Sequence, residues 1–334
     1  VWDLRLIRRE LAELGLDCDA PPLPPEPPAG PPVEVRVVGA ELLDPEVRTW
    51  WALAEASSRL WSAPDDVAAR LHRADAARAV GWLWLAEFDY TATLGRQPEH
   101  RTARFQRGLI RLRTGRPAAA LADFDDLVRR DPDDYAARTR RALALAGLGR
   151  FADAAAAFDP VAARYSEDAT TMALRGLCRE RAGDQTGAAS DFKRVRELSA
   201  NAASADNHLA WLYLTGPEPL RDAARALPLA RAAVERSPEK WTYHNTLGVA
   251  LYRLGRYDEA VKQLTASLEH SAADSAAWDL YVLAMCHRRL GDAARARDCF
   301  DRAVRWRRDR PLSVHEAEEL DDFRAEAGRV LAGP

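Results

Sequence analysis

The side chains of this sequence that could perform catalysis or hold a metal do not form a recognised catalytic motif. The seven histidines include no HExxH pair, and the cysteines at Cys18, Cys178, Cys286 and Cys299 include no CxxC pair. Neither a zinc site nor a disulfide framework is therefore indicated. The sequence also lacks GxGxxG and GxxxxGKS/T, the common phosphate-binding loops. We therefore expect no enzyme activity, no cofactor and no metal within this chain.

Arginine is the residue whose spacing comes nearest to a binding device. Four arginines recur at one constant spacing, at Arg73, Arg107, Arg141 and Arg175, and such a ladder could follow a phosphate backbone or an acidic peptide. Three of the four are followed by an aspartate at the same offset, and the later part of the chain loses arginine and aspartate together. This joint occurrence favours pairing inside the fold. We predict the partly buried ion pairs Arg73–Asp89, Arg107–Asp123 and Arg175–Asp191, with Asp125 or Asp159 as the partner of Arg141.

The bulk composition narrows the class of protein. With 334 residues, 47% hydrophobic and 30% charged, the chain is long enough for a large core or an elongated array. A formal net charge of −3 gives no global attraction to nucleic acid or membrane. No apolar run reaches the roughly 20 residues that span a bilayer, and scattered cysteines fit reduced thiols in a cytoplasmic protein. Because the sequence starts at Val1 and not at methionine, we expect it to be a piece of a longer protein.

Equally spaced glycines, at Gly81, Gly115, Gly149 and Gly183, mark an internal repeat with the same period as the arginine ladder. We place the repeat starts at 67, 101, 135, 169, 203, 241 and 277. In this register, positions 8 and 20 are always glycine or alanine, and position 24 is mostly a large apolar residue. Small residues let two helices approach closely, and a large side chain fills the space beside them. The glycine at position 15 is expected to end the first helix in the left-handed conformation.

These residues, over 64–308, resemble the tetratricopeptide repeat family. The resemblance implies an all-α, right-handed α-solenoid of about seven helical hairpins, which stack because no hairpin can bury its apolar face alone. In this family the concave face is lined by positions 2, 5, 9 and 12 of the first helices. The resemblance thus implies a partner groove lined by Phe105, Asn207, Trp211, Asn245, Tyr252, Trp278, Tyr281 and Arg288.

Aromatic rings and amides in that groove suit an extended peptide or a helix, because rings supply contact area and amides bond a backbone. The alternative for each of these residues is that it packs against a neighbouring repeat or a folded-back linker. The sequence favours the groove in the C-terminal repeats, where most of these rings are found.

The segments outside the repeats complete the predicted domain organisation. Residues 1–19 resemble the last strand of a WD-repeat propeller with a trailing helix, and 20–32 form a proline-rich, semi-rigid linker. Residues 33–66 are expected to hold a short strand, at 33–38, and an N-terminal capping helix. The array fills 67–310. Residues 311–334 are expected to form a C-terminal capping helix, with Ser313 and Glu316 as a capping box and an apolar stripe at Leu320, Phe323, Ala327 and Val330.

The stretch 245–327 is similar to a module of large planctomycete-type bacterial proteins, which join a serine/threonine kinase or sigma-factor-like domain, a propeller and tetratricopeptide repeats. This likeness implies a scaffold within a signalling protein. Our hypothesis is a non-catalytic scaffold that binds a protein or peptide and does not bind a membrane. The sequence leaves the oligomeric state open.

Two alternatives to this hypothesis remain. The first is binding of RNA, DNA or an acidic protein through the segment Arg288–Arg310, which carries nine arginines and four aspartates. A basic helix with an interleaved Trp306 could hold a single strand, but a solvated outer face is the interpretation we prefer. The second is a regulatory region of a protein kinase whose catalytic domain lies outside this chain.

Overall fold

The computed structural model describes residues 45–270, 276–308, 310, 312 and 314–333. The propeller-like segment 1–19, the linker 20–32, the strand expected at 33–38 and the capping residue Ser313 lie outside these residues. The described residues contain sixteen α-helices, a 3-10 helix at Glu218–Leu220 and no strand. The all-α solenoid predicted from the repeat is therefore confirmed.

The α-helices, in chain order, are α1 (Pro45–Ser62), α2 (Val67–Ala79), α3 (Leu83–Arg96), α4 (Arg101–Arg113), α5 (Pro117–Arg130), α6 (Tyr135–Gly147), α7 (Phe151–Arg164), α8 (Ala169–Ala182), α9 (Gln185–Leu198), α10 (Ala202–Thr215), α11 (Ala223–Arg236), α12 (Trp241–Arg253), α13 (Tyr257–His270), α14 (Ala276–Arg289), α15 (Ala293–Arg308) and α16 (Val314–Ala332). The helices α2 to α15 form seven hairpins, and each first helix begins within one residue of a repeat start placed from the sequence. Helix α1 packs against α2 at the N-terminal end of this stack.

Local sequence signals start and stop these helices. Asp66 and Asp134 cap α2 and α6, where their carboxylates accept backbone N–H bonds from Ala69 at 2.9 Å and Ala137 at 3.0 Å. Such caps satisfy donors that a helix start leaves unpaired. Six first helices are followed by a glycine with positive φ, which other residues adopt at a cost. The regular turns follow from these caps and glycines.

The contact between the two helices of a hairpin depends on a small residue facing a large one. A Cβ atom added to Gly108 would lie 2.7 Å from Cζ of Phe124, and one added to Gly176 would lie 2.7 Å from Cε1 of Phe192. Phe124 is completely buried, so its ring has little room to move away. Gly108 and Gly176 are therefore required by close packing of the helices, and not by backbone conformation.

We predict that Gly108→Ala destabilises the chain by about 1–3 kcal/mol, because the added methyl group overpacks the ring of Phe124. Gly95→Ala is the matched control, since a Cβ atom there meets nothing within 4 Å. The control is expected to be neutral or stabilising by up to about 1 kcal/mol, as alanine is the better helix former. Urea unfolding of both variants measures the difference. Equal stability of the two variants would contradict the packing account.

Candidate functional site

The inner surface of the array is formed by the first helices of the hairpins, and its C-terminal part is covered by α16. This helix packs mainly against α14 and less against α15. Its side chains also reach α10, α12 and, farther along the array, α4. The helix therefore lies across the first helices of several repeats, and does not take the place of an eighth first helix at the end of the stack.

Two tryptophans of the inner surface bind one carboxylate of α16. The indole N–H of Trp211 donates to Oε1 of Glu319 at 2.9 Å, and that of Trp278 donates to Oε2 of Glu319 at 3.2 Å. The ring of Trp211 also stacks on Phe323, with 6.1 Å between ring centroids and 27° between planes. Both tryptophans were predicted from the sequence as groove residues, and both contact the same helix.

Arginines of the first helices bind the remaining carboxylates of α16. Arg253 makes a two-pronged ion pair with Glu326, in which Nη2 lies 2.7 Å from Oε2. Arg113 on α4 reaches Asp322 at 3.1 Å. Burial and the neighbouring charge of Arg253 lower the pKa of Arg221, and the charges of Glu326 and Asp322 oppose that shift. The inner surface is thus basic where α16 is acidic.

Apolar burial supplies the other part of the contact. Leu320, Phe323 and Ala327 of α16 are buried and belong to the same core cluster as α10, α12 and α14. These three residues are spaced as one stripe of a helix, which is the stripe expected from the sequence. Charged groups of α16 lie beside the stripe, and Asp322 remains 65% exposed.

Three of the predicted groove residues are closed off from a partner by burial, which corrects our placement of them on an open surface. Tyr281 is completely buried against Phe300, and burial raises the pKa of its hydroxyl to about 12. The amide of Asn245 donates to Asp279 at 2.7 Å. Tyr252 is buried beneath the guanidinium of Arg253, 5.5 Å from its ring centroid.

The other predicted groove residues are half-buried. Arg288 lies beside Gly333, just beyond the end of α16. Asn207 holds its side-chain oxygen in a buried position where no group among the described residues donates to it. Phe105 packs edge-on against Phe124 at 5.8 Å, with the guanidinium of Arg101 over its ring at 5.6 Å.

The N-terminal part of the inner surface carries a second group of apolar side chains. Leu109 and Leu112 lie beside Phe105 on α4, and all three are only partly buried. Leu143 on α6 is likewise partly buried. This half of the inner surface therefore offers apolar area next to the acidic helix that covers the other half.

A buried carboxylate lies between the sixth and seventh hairpins, where the sequence analysis had not singled out a residue. Asp279 is completely buried and accepts hydrogen bonds from Asn245 at 2.7 Å and Ser267 at 2.9 Å. Burial raises the pKa of Asp279 to about 7, although both hydrogen bonds and the nearby His244 oppose this shift. The carboxyl group is therefore protonated in the folded chain over a pH range in which it ionises when unfolded.

The pKa of Asp279 gives stability a definite pH dependence. Between the unfolded value of 3.8 and the folded value of about 7, the folded chain holds one proton more than the unfolded chain, so stability falls as pH rises. Asp279→Asn keeps the hydrogen-bonding shape without the charge. We predict that this variant raises the thermal midpoint at pH 8 by about 2–4 °C for each kcal/mol gained, with no gain at pH 4.

The control for this experiment is Asp301→Asn, which replaces an exposed carboxylate on α15. Its thermal midpoint should follow that of the unmodified chain at both pH values. An Asp279→Asn gain of the same size at pH 4 and pH 8 would contradict the assignment.

The arginine ladder lies inside the hairpins. Arg73 bonds Asp89 through Nε at 2.7 Å and Nη2 at 2.8 Å. Arg107 bonds Asp123 in the same way at 3.1 and 2.5 Å, and Arg175 bonds Asp191 at 3.1 and 2.6 Å. The aspartate side chains are at most 3% exposed.

Each of these buried aspartates also meets a second arginine, which the sequence analysis had not identified. Arg70 lies 3.5 Å from Asp89, while Arg111 and Arg179 lie 2.9 Å from Asp123 and Asp191, respectively. Arg141 pairs with Asp125 at the surface, at 2.5 Å. The guanidinium groups of the ladder are consequently engaged by carboxylates and are not presented to an external anion.

We predict that Asp123→Ala lowers the free energy of unfolding by about 3 kcal/mol, because it leaves the partly buried guanidinium of Arg107 without its buried counter-ion. Arg111 also loses this carboxylate and keeps Glu87. Asp125→Ala, two residues away, removes the 48%-exposed partner of Arg141 and should change stability by only about 0–1 kcal/mol. Denaturant titration compares the two. Similar losses in both variants would show that burial does not govern these pairs.

The arginine-rich helix α15 has the character of a solvated outer face. Arg295, Arg297 and Arg302 are more than half exposed, and each forms an ion pair with an aspartate three or four residues away. Such pairs are typical of exposed helix surfaces. The helix therefore presents acidic as well as basic groups along this face.

The histidine, cysteine and acidic side chains of the described residues are the groups that could bind a metal, and the cysteine thiols are those that could react as nucleophiles. In the described part of the chain, no cluster of three or more histidine, cysteine, aspartate or glutamate side chains is placed to hold a metal ion. Burial raises the pKa of the Cys178 and Cys286 thiols to about 12, which leaves them as neutral thiols. None of the helices in the described residues combines the length and the apolar character needed to cross a membrane.

Models of the tetratricopeptide repeat family match residues 85–137, 139–215 and 222–309, which together make up more than half of the chain. No curated protein sequence matches it. Solved structures with similar folds include a tetratricopeptide repeat protein from Parabacteroides merdae ATCC 43184, at 15% identity and a TM-score of 0.43, covering 78% of this chain and 98% of that one.

Two further solved structures match over different lengths. YrrB, described as a TPR protein with an unusual peptide-binding site, is 19% identical with a TM-score of 0.32, covering 58% of this chain and 97% of its own. Yeast Tom70 is 14% identical with a TM-score of 0.49, and the match covers 86% of this chain and 59% of Tom70.

Proposed function

The chain belongs to the tetratricopeptide repeat family, and from this premise we propose that it is a non-catalytic scaffold for protein–protein interaction. The partner contributes a peptide or a helix, which binds along the inner surface of the array. In this proposal the chain holds another protein in a fixed position, and the array does not catalyse a reaction.

The observation that carries this proposal is that the inner surface holds a helix. Trp211, Trp278 and Arg253 bind α16 through side-chain hydrogen bonds and an ion pair. Tryptophan and arginine are the residue types that most often dominate binding energy at protein interfaces. A surface that binds a helix of its own chain in this way has the chemistry needed to bind one from another protein.

The N-terminal half of the inner surface supports the same proposal. Phe105, Leu109 and Leu112 are only partly buried there. Partly exposed apolar side chains lining a groove are typical of surfaces that bind an amphipathic helix. A partner could occupy this half directly and meet α16 at Asp322, where α4 and α16 are already joined by Arg113.

The broader context is also part of the proposal. The likeness of 1–19 to a propeller strand, and of 245–327 to a module of bacterial signalling proteins, favours a scaffold within a larger bacterial signalling protein. A kinase domain elsewhere in that protein would supply any catalysis. Binding of an anionic polymer is the weaker candidate, because the ladder arginines are paired with buried aspartates and exposed arginines of α15 are paired with nearby aspartates.

Site-specific photo-crosslinking in the organism that encodes the chain tests the proposal. A photoreactive phenylalanine analogue replaces Leu112 on the inner surface, and in a matched variant it replaces Lys193, a 79%-exposed residue of the second helix α9. We expect Leu112 to crosslink to a separate protein and Lys193 to give no crosslink to that same protein. Crosslinks from Lys193 alone would place the interaction on the outer face and overturn the groove.

A further inference from the structure

The residues by which α16 binds the array fall on one face of the helix. Glu319, Asp322, Phe323 and Glu326 occupy positions i, i+3, i+4 and i+7, which lie above one another on an α-helix. Two carboxylates thus flank an aromatic ring, with about two turns of helix between them. Leu320 and Ala327 lie beside this row and are buried.

The inner surface has a complementary group for each position of this row. Trp211 and Trp278 donate hydrogen bonds to Glu319, and Trp211 also stacks on Phe323. Arg113 pairs with Asp322, and Arg253 pairs with Glu326. Charge-assisted bonds of the guanidinium-to-carboxylate kind are strong and directional. The surface is therefore complementary to a particular spacing of acidic groups around an aromatic residue, in addition to covering apolar area.

The charge of α16 as a whole agrees with this reading. Residues 314–332 contain six acidic residues and two arginines. The surface below pairs Arg113 and Arg253 with that helix. Opposite net charges on the two sides favour encounter and correct orientation of a ligand of this type.

Helix α16 lies on the inner surface, where a bound ligand of the array would lie. A helix that only caps the stack would pack chiefly on α15, the second helix of the last hairpin, as each hairpin packs on the second helix of the one before it. Helix α16 instead packs chiefly on α14, the first helix of that hairpin, and its side chains reach α10 and α12 of earlier hairpins. It is attached to the array by a short connection after α15, so it is present at a high effective concentration.

We propose that α16 is a built-in competitor, and that the partner of the inner surface is an acidic amphipathic helix with carboxylates at i and i+7 and an aromatic residue at i+4. The partner binds by displacing α16 from Trp211, Trp278 and Arg253. This inference rests on the proposed function, and it adds the chemistry of the partner and an intramolecular control of access to the groove.

A peptide with the sequence of residues 314–332 tests the inference, with fluorescence anisotropy of a labelled copy as the readout. The receptor is the full chain carrying Phe323→Ala and Glu326→Gln, which loosen α16 and leave the groove unchanged. We expect this receptor to bind the peptide about tenfold tighter than the unmodified chain does, since its own helix competes less. Adding Trp211→Ala to the receptor should remove the gain.

The control peptide carries Glu319→Gln, Phe323→Ala and Glu326→Gln, and we expect it to bind the loosened chain about tenfold more weakly than the parent peptide. A milder receptor with Glu326→Gln alone serves if the double variant does not fold, as judged by its helical circular dichroism. Equal binding of both peptides, or no gain on loosening, would show that α16 is a fixed part of the fold.

This test fails separately from the test of the proposed function. Partner crosslinks from Leu112 together with equal binding of the two peptides would leave the groove in place and overturn only the acidic-helix chemistry. Absence of partner crosslinks from Leu112 together with peptide binding to the loosened chain would support the competitor role and overturn an external protein partner at the N-terminal half.

Discussion

A hairpin of two short helices cannot bury its apolar side alone, and the rest of this structure depends on how that side is covered. In most hairpins a small residue meets a large one, as Gly108 meets Phe124, and each hairpin is then covered by the next. Stacking leaves the first helices exposed along the inner surface. The chain covers the C-terminal half of that surface with its own last helix, α16, and leaves Phe105 and its neighbours partly exposed in the other half.

The two halves of the array stabilise their hairpins by different means. The N-terminal half buries aspartates such as Asp123 between two arginines, so its stability depends on keeping every member of these pairs. The C-terminal half has leucine at the corresponding arginine positions, and Leu209, Leu247 and Leu283 are buried. Its inner surface gathers tryptophan and arginine instead, and these bind a helix. Regular stacking and ligand recognition are therefore concentrated in different repeats.

The sequence was sufficient to predict the hairpins and one arginine partner for each buried aspartate of the arginine ladder, but not the second partner, such as Arg111 or Arg179. The spacing of glycines predicted the hairpins, and the joint occurrence of arginine and aspartate predicted which side chains would face each other, such as Arg73 and Asp89. The position of α16 could not be predicted in this way, because Trp211 and Glu319 are 108 residues apart and their contact occurs once. Its apolar stripe predicted a helix that packs, but a stripe does not specify which surface it packs on. Asp279 was missed because a single aspartate in a sequence does not show whether its carboxyl group will be buried, and it is burial that raises its pKa.

Hydrogen exchange of α16 in the full chain tests the central claim most directly. If the helix is held on the inner surface, its backbone amides should exchange much more slowly than those of an exposed helix end. Trp211→Ala should accelerate exchange throughout 314–332 and leave α5 and α7, in distant hairpins, unchanged. Rapid exchange of α16 in the unmodified chain, or slow exchange that is indifferent to Trp211→Ala, would contradict the account.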